Sequence, residues 1–172
     1  MTIRPRRPED LPPCVAVLAE VHRVDGYPEI WQPDAIGWVD PPGTIAAWVA
    51  EPAGAIVGHV SLMVAPAGGE TVKLSRLFVA PSAQGQGLAR QLMATAVAWA
   101  EDQGRDVVLE VYAGTPAVTL YEGLGWRFLG SSPASWLGAQ GQRPTLRFYA
   151  APGNRSPDSG SELLGTDHCE QP

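Results

Sequence analysis

Cysteine is almost absent from the 172 residues: Cys14 and Cys169 stand near opposite ends, with no metal-ligand spacing and no further thiols for a disulfide framework. That usage belongs to a reducing compartment, so a cytoplasmic location is expected and no metal is. Basic runs are missing too. Twelve Lys and Arg against 18 Asp and Glu leave a formal charge of -6, and no stretch offers the basic footprint that a nucleic-acid backbone requires. No window reaches membrane-spanning length, and the charged opening Met1-Thr2-Ile3-Arg4-Pro5-Arg6-Arg7-Pro8 is not followed by an apolar stretch. Nucleic acid and membrane are therefore not expected as partners. No internal repeat is visible.

Apolar residues make up 45% of the chain and charged residues only 17%, a balance that supports a packed core and excludes global disorder. The length suits one core of ordinary size, and residues 1–151 read as one domain. Residues 152–172, with the polar run Gly153-Asn154-Arg155-Ser156-Pro157-Asp158-Ser159-Gly160-Ser161, read as a disordered tail in which His168 and Cys169 have no assigned role. A mildly acidic surface suits a cationic substrate such as an amine, and suits simple solubility equally.

The pattern along the chain is a mixture of strands and helices, an α/β class with a mixed sheet. Ile3-Arg4 reads as a first strand. Val15, Leu18, Ala19 and His22 recur at helical spacing up to Asp25-Gly26. Tyr27 to Gly43, rich in proline and carrying Tyr27, Trp31 and Trp38, reads as loop with a short helix around Pro33 to Val39. Ile45 to Glu51 and Ala55 to Met63 form a hairpin about Pro52-Ala53-Gly54, and Val72 to Val79 is a further strand stopped by Pro81. Leu88, Leu92, Met93, Ala96, Val97 and Ala100 mark one face of a helix that Gly104 ends. Val107 to Tyr112 is a strand, and Thr115-Pro116 places a cap and a first-turn proline before a short helix to Leu124. Trp126 to Leu129 and Thr145 to Tyr149 are the last strands.

The chemistry concentrates at Gln84-Gly85-Gln86-Gly87-Leu88-Ala89, between a strand and a helix. Such a junction directs free backbone N-H groups and the positive end of the helix dipole at one point, which is an anion site. Glycines at 85 and 87 keep Cβ atoms out of the way of an approaching phosphate. A dinucleotide fingerprint is excluded because Arg90 stands where its third glycine would be, and a P-loop because no Gly-Lys-Ser/Thr ending follows. Taken alone, two glycines also fit an ordinary tight turn before a surface helix.

Residues 74–90, Leu-Ser-Arg-Leu-Phe-Val-Ala-Pro-Ser-Ala-Gln-Gly-Gln-Gly-Leu-Ala-Arg, resemble the acyl-CoA signature of the GCN5-related N-acetyltransferase (GNAT) superfamily, with Gln84-x-x-Gly87-x-Ala89 for its Arg/Gln-x-x-Gly-x-Gly/Ala. Leu120-Tyr121-Glu122-Gly123-Leu124-Gly125-Trp126 is similar to that family's later Leu-Tyr-x-x-x-Gly-Phe. The resemblance implies a GNAT-like fold whose central parallel strands, Val72 to Val79 and Val107 to Tyr112, splay around the thioester of acetyl-CoA as co-substrate. It implies that main-chain groups of Leu77, Phe78 and Val79 pair with the pantetheine arm. Amides across Gln84, Gly85, Gln86, Gly87, Leu88, Ala89 and Arg90 would hold the pyrophosphate. Two departures stand out: Gln84 replaces a common arginine, giving up a charge-assisted phosphate contact, and Gly114 replaces a common asparagine.

The same resemblance makes Tyr121 the general acid that protonates the departing thiolate. An amine nucleophile must also lose a proton. The strand position where relatives often carry glutamate has Lys73 and Ser75 nearby and no acid. Glu110, as a base or water relay, His59 and Glu51 are the remaining strand candidates, each of a kind more often found solvated or hydrogen-bonded than catalytic. Neither cysteine lies near the motifs, which argues against a covalent enzyme intermediate. The expected function is direct acetyl transfer in a ternary complex to a primary amine on a small molecule or peptide, entering beside Tyr27 to Trp38. A catalytically idle acyl-CoA sensor is the alternative, and a homodimer is admitted.

Overall fold

The computed structural model describes residues 3–66 and 68–155, so His168 and Cys169 and most of the expected tail lie outside the described residues. Seven strands form one mixed sheet in the order β1-β2-β3-β4-β5-β7-β6, with β1 Ile3–Pro5, β2 Thr44–Ala50, β3 Gly58–Val64, β4 Thr71–Val79, β5 Asp106–Tyr112, β6 Arg127–Pro133 and β7 Thr145–Ala150. Among the described residues four α-helices accompany them: α1 Leu11–Asp25, α2 Ala35–Val39, α3 Leu88–Asp102 and α4 Pro116–Gly123. The α/β class and the mixed sheet are those expected from the sequence. The described residues divide into two compact bodies, one of residues 3–63 and 74–99, the other of residues 64–73 and 100–155.

In the first body β1 and β2 pair antiparallel with Ile3 opposite Ala50, and β2 and β3 pair antiparallel with Val49 opposite His59. Residues Gly58 to Met63 are all buried, so both faces of β3 are covered and the strand reads as a continuous run instead of alternating. Helix α1 tolerates Pro12 and Pro13 because its first turn has no use for their missing N-H groups. It buries Cys14, Val17, Leu18 and Val21, spaced for one helical face. Gly26 ends it at φ 71°, donating to the His22 carbonyl at 3.0 Å. Helix α3 buries Leu88, Leu92, Met93 and Ala96, and Trp99 meets Trp48 edge-on at 5.8 Å.

In the second body the start of β4 pairs in parallel with β5, through Thr71-Asp106, Val72-Val107 and Lys73-Val108. Strands β5, β7 and β6 follow in antiparallel order. Two local expectations are corrected here. Strand β6 runs to Pro133, not Leu129, which an edge strand permits because proline's missing donor costs nothing on the open side. Thr115 takes the N-cap position of α4 as expected, but its hydroxyl does not bond the helix and instead donates to the Tyr112 carbonyl at 2.9 Å. Residues 152–155, assigned to the tail, are held in place. Asn154 mimics a strand neighbour, accepting from Val107 N and donating to Val107 O at 2.9 Å each.

Candidate functional site

The junction of β4 and α3 leaves the first amides of the helix open beside two glycines. Gln91 N-H donates to the Gly87 carbonyl at 3.1 Å, which makes this the first helical bond of α3 and leaves the amides of Leu88, Ala89 and Arg90 without a helical acceptor. Gly85 and Gly87 sit at φ 77° and 76°, and a Cβ at either would meet nothing within 4 Å. Their need for glycine is therefore conformational within the protein, and the space in front of them is free for a ligand. Gly85, Gln86, Gly87 and Arg90 are exposed, whereas Leu88 is buried and anchors the helix start.

The side chain of Gln84 is engaged within the protein. Its Nε2 donates to Asp25 Oδ2 at 2.7 Å and to the Val79 carbonyl at 3.2 Å. The amide nitrogen is thus spent on protein groups and ties the cradle to the end of α1. Of the β4 residues assigned to the pantetheine arm, Val79 already accepts this bond through its carbonyl, while Phe78 stacks its ring on His59 at 5.1 Å.

A second cluster is centred on Arg76 of β4, inside the stretch 74–90. Arg76 takes φ 54° within the strand, a conformation costly for a residue with a Cβ. Its guanidinium is buried, with Nε donating to the Trp38 carbonyl at 2.7 Å and the group lying 4.0 Å over the Trp38 ring. Arg6 donates from Nη1 to the Val39 carbonyl at 3.2 Å and to His59 Nε2 at 3.0 Å, and pairs with Asp40. The signal available in the sequence was an arginine in a strand that also carries Lys73 and Ser75 and holds no acid.

His59 and Glu51, considered as bases, are both engaged. His59 is fully buried, stays neutral with its pKa pushed down to about 3 chiefly by burial, and donates from Nδ1 to the Arg76 carbonyl at 2.8 Å. Glu51 receives Arg4 Nε at 2.6 Å, a contact that lowers its carboxyl pKa.

In the second body, Tyr121 of α4 is 8% exposed and packs against Trp126 and Tyr149 with ring centroids 6.1 and 6.3 Å apart. Burial alone pushes its phenol up to about 12. Glu110 on β5 lies 3.5 Å from Lys73 Nζ, so its carboxylate has a cation at hand. Gly114 follows β5 at φ 79°. Among the described residues no group of three or more His, Cys, Asp or Glu is placed to hold a metal, and no helix is long and apolar enough to cross a membrane.

Residues 42–135 match the acetyltransferase (GNAT) domain family, a span that covers both motifs, Glu110 and Tyr121. The chain belongs to that family. It is 42% identical over 88 residues to N-acetyltransferase 8F1 of Mus musculus and 41% identical over 90 residues to N-acetyltransferase 8 of Rattus norvegicus. Each match takes in about half of this chain, 48% and 49%, and 40% of the relative, so the chain spans well under half the length of these curated relatives. The fold is shared with the ribosomal-protein-S18-alanine N-acetyltransferase of Escherichia coli, at a TM-score of 0.71, 21% identity and coverage of 92% of this chain and 97% of that one. It is shared likewise with NAA60 of Arabidopsis thaliana, solved with a bisubstrate analogue, at 0.69, 24% identity and coverage of 87% and 96%.

Proposed function

We propose that the chain is an N-acetyltransferase that moves an acetyl group from acetyl-CoA directly to a primary amine on a small molecule or peptide. The observation that carries this reading is the cradle: helix amides unclaimed by any carbonyl, behind two glycines with open space in front, at the family's acyl-CoA motif. The dipole contributes roughly 0.3 to 1 kcal/mol by itself, so the grip on a pyrophosphate comes from several N-H donors acting together. Amides of residues 84–90 hold the pyrophosphate, and main-chain groups of Leu77, Phe78 and Val79 meet the pantetheine arm. The acceptor enters beside Tyr27 to Trp38.

In the transfer the amine nitrogen bonds to the thioester carbonyl carbon, the carbon-sulfur bond breaks, and the amine proton leaves through water, with Glu110 as the relay. Tyr121 serves the departing sulfur. A phenol at about 12 is neutral at physiological pH, whereas an ordinary thiol titrates near 8.5. Tyr121 therefore acts first as a hydrogen-bond donor to the growing negative charge, and hands over its proton only as far as burial raises the thiol too.

The rival is an acyl-CoA sensor without turnover, favoured by one observation: His59, Glu51 and Glu110 each already have a hydrogen-bond or ionic partner. Acetyl-CoA offered with a panel of amino acids, polyamines, aminoglycosides and peptides with free N-termini, with free thiol as the readout, separates the two. Thiol release that depends on one class of amine supports transfer. CoA binding with no release for any of them supports the sensor.

A further inference from the structure

The segment from Asp25 to Asp40 is strapped at both ends to the elements assigned to the cofactor. At its start, Asp25 receives Gln84 of the cradle at 2.7 Å. At its end, Trp38 is held by Arg76 of β4 through a 2.7 Å hydrogen bond and a 4.0 Å stacking contact, and Val39 and Asp40 are held by Arg6. Between the straps Tyr27 meets Trp38 edge-on at 5.7 Å and Asp34 caps α2 through Gly37 N, while His22 of α1 packs on Trp31 at 5.4 Å. Outward it presents the exposed apolar side chains of Ile30, Trp31 and Ile36 together with the exposed acids Asp25, Asp34 and Asp40, and all its charged residues are acids.

We infer that Asp25 and Arg76 are positioning residues of the acceptor site, which fix the wall formed by residues 26–40 against the cofactor cradle and β4. The inference rests on the acetyl-transfer reading above. Arginine suits this position because a planar, permanently charged group can stack on an indole and bond a carbonyl at once, which lysine cannot do. A strained backbone at Arg76 that the rest of the fold sustains is also the kind of feature found where geometry serves a site. The Gln84 amide, by donating to Asp25, joins the wall to the cradle.

The test uses Arg76→Gly and Asp25→Ala, with Asp25→Asn as the conservative partner. Glycine adopts φ 54° freely, so Arg76→Gly removes the side chain and keeps the strand path. With the panel amine that the wild type acetylates, Arg76→Gly and Asp25→Ala are expected to raise the acceptor KM about tenfold while the acetyl-CoA KM stays within twofold, and Asp25→Asn, which keeps an oxygen for Gln84, stays near wild type. An acceptor KM that does not move, or an acetyl-CoA KM that rises by the same factor, overturns the inference. Amide hydrogen exchange over residues 26–40 gives a second decision that needs no turnover. Faster exchange confined to that segment in both variants supports the straps, and unchanged exchange overturns them. Should the wild type acetylate no amine, the functional reading falls on that result while exchange still decides the straps.

Discussion

Nε2 of His59 lies 3.0 Å from Nη1 of Arg6, and because a guanidinium can only donate, the imidazole must accept there and carry its proton on Nδ1. That proton goes to the Arg76 carbonyl at 2.8 Å. Burial first, and then the two neighbouring arginines, hold the ring neutral down to about pH 3, with Asp40 the nearby acid, whereas in the unfolded chain it titrates near 6.5. The folded pKa is the lower of the two, so the contribution of His59 to stability is complete above pH 6.5 and is lost as pH falls from 6.5 toward 3. The limiting slope is about 1.4 kcal/mol per pH unit. Urea unfolding of the wild type should show stability falling between about pH 6.5 and 5, above the range where carboxylates titrate. His59→Leu should be less stable at about pH 7, by roughly 1 to 3 kcal/mol for the polar partners left behind, and should show a flatter profile over that interval. Parallel profiles would mean that another group is responsible.

Tyr121 supplies a cleaner catalytic test than most buried residues, since its phenol is shifted by burial with no hydrogen bond contributing. Tyr121→Phe keeps the ring contacts with Trp126 and Tyr149 and should change stability by less than about 0.5 kcal/mol. Loss of a donor to the leaving sulfur should lower kcat by roughly a hundredfold, at the low end of acid-base contributions, with KM values little altered. An unchanged kcat across pH would remove the tyrosine from the mechanism.

Glu110 and Lys73 make opposite demands on the same substitution. As a partner of a buried ammonium 3.5 Å away, the carboxylate stabilises the start of the parallel β4-β5 pairing, and Glu110→Gln should cost about 1 to 3 kcal/mol by urea unfolding. As a proton relay, Glu110 should in addition set an acidic limb in the pH profile of kcat/KM, which Glu110→Gln would abolish. Lost stability with an intact acidic limb identifies a structural ion pair and leaves bulk water as the proton acceptor.

What could be read from the sequence was local, and what could not was paired over long distances. The cradle was legible because its requirements are written in neighbouring residues: a strand stopped by Pro81, glycines at 85 and 87, and an apolar helical face from Leu88. Periodicity likewise located α3 and the strands, because burial of one face imposes a period on the residues themselves; it located α1 too, but on the wrong face, since Cys14, Val17, Leu18 and Val21 are buried and Ala19 is exposed. Arg76 and Trp38 are 38 positions apart and Arg6 and His59 are 53 apart. No spacing rule links such pairs, and a charged side chain inside a strand gives no hint of which carbonyl it will find. Side-chain direction was the other hidden quantity. Thr115 and Gln84 were placed correctly along the chain, yet the hydroxyl turns to Tyr112 and the amide to Asp25, because short polar side chains bond whichever backbone or side-chain group lies nearest in the fold.

Gly87 and Gly26 allow the cofactor reading to be separated from backbone strain. Both sit in the left-handed region, at φ 76° and 71°, and a Cβ at either meets no protein atom within 4 Å. Alanine at each position should therefore cost a similar amount of stability, on the order of 1 to 2 kcal/mol, through the conformation alone. Their surroundings differ in function. Gly26 caps α1, whereas Gly87 begins α3 with the unclaimed amides of Leu88, Ala89 and Arg90 behind it. Under the proposed cofactor reading, the methyl added at Gly87 would stand where the pyrophosphate approaches the main chain, so Gly87→Ala should weaken CoA binding at least tenfold by calorimetry, and Gly26→Ala by less than twofold. Equal losses of CoA affinity would trace the effect to strain. Undiminished binding in Gly87→Ala would show that the nucleotide does not rest on this helix.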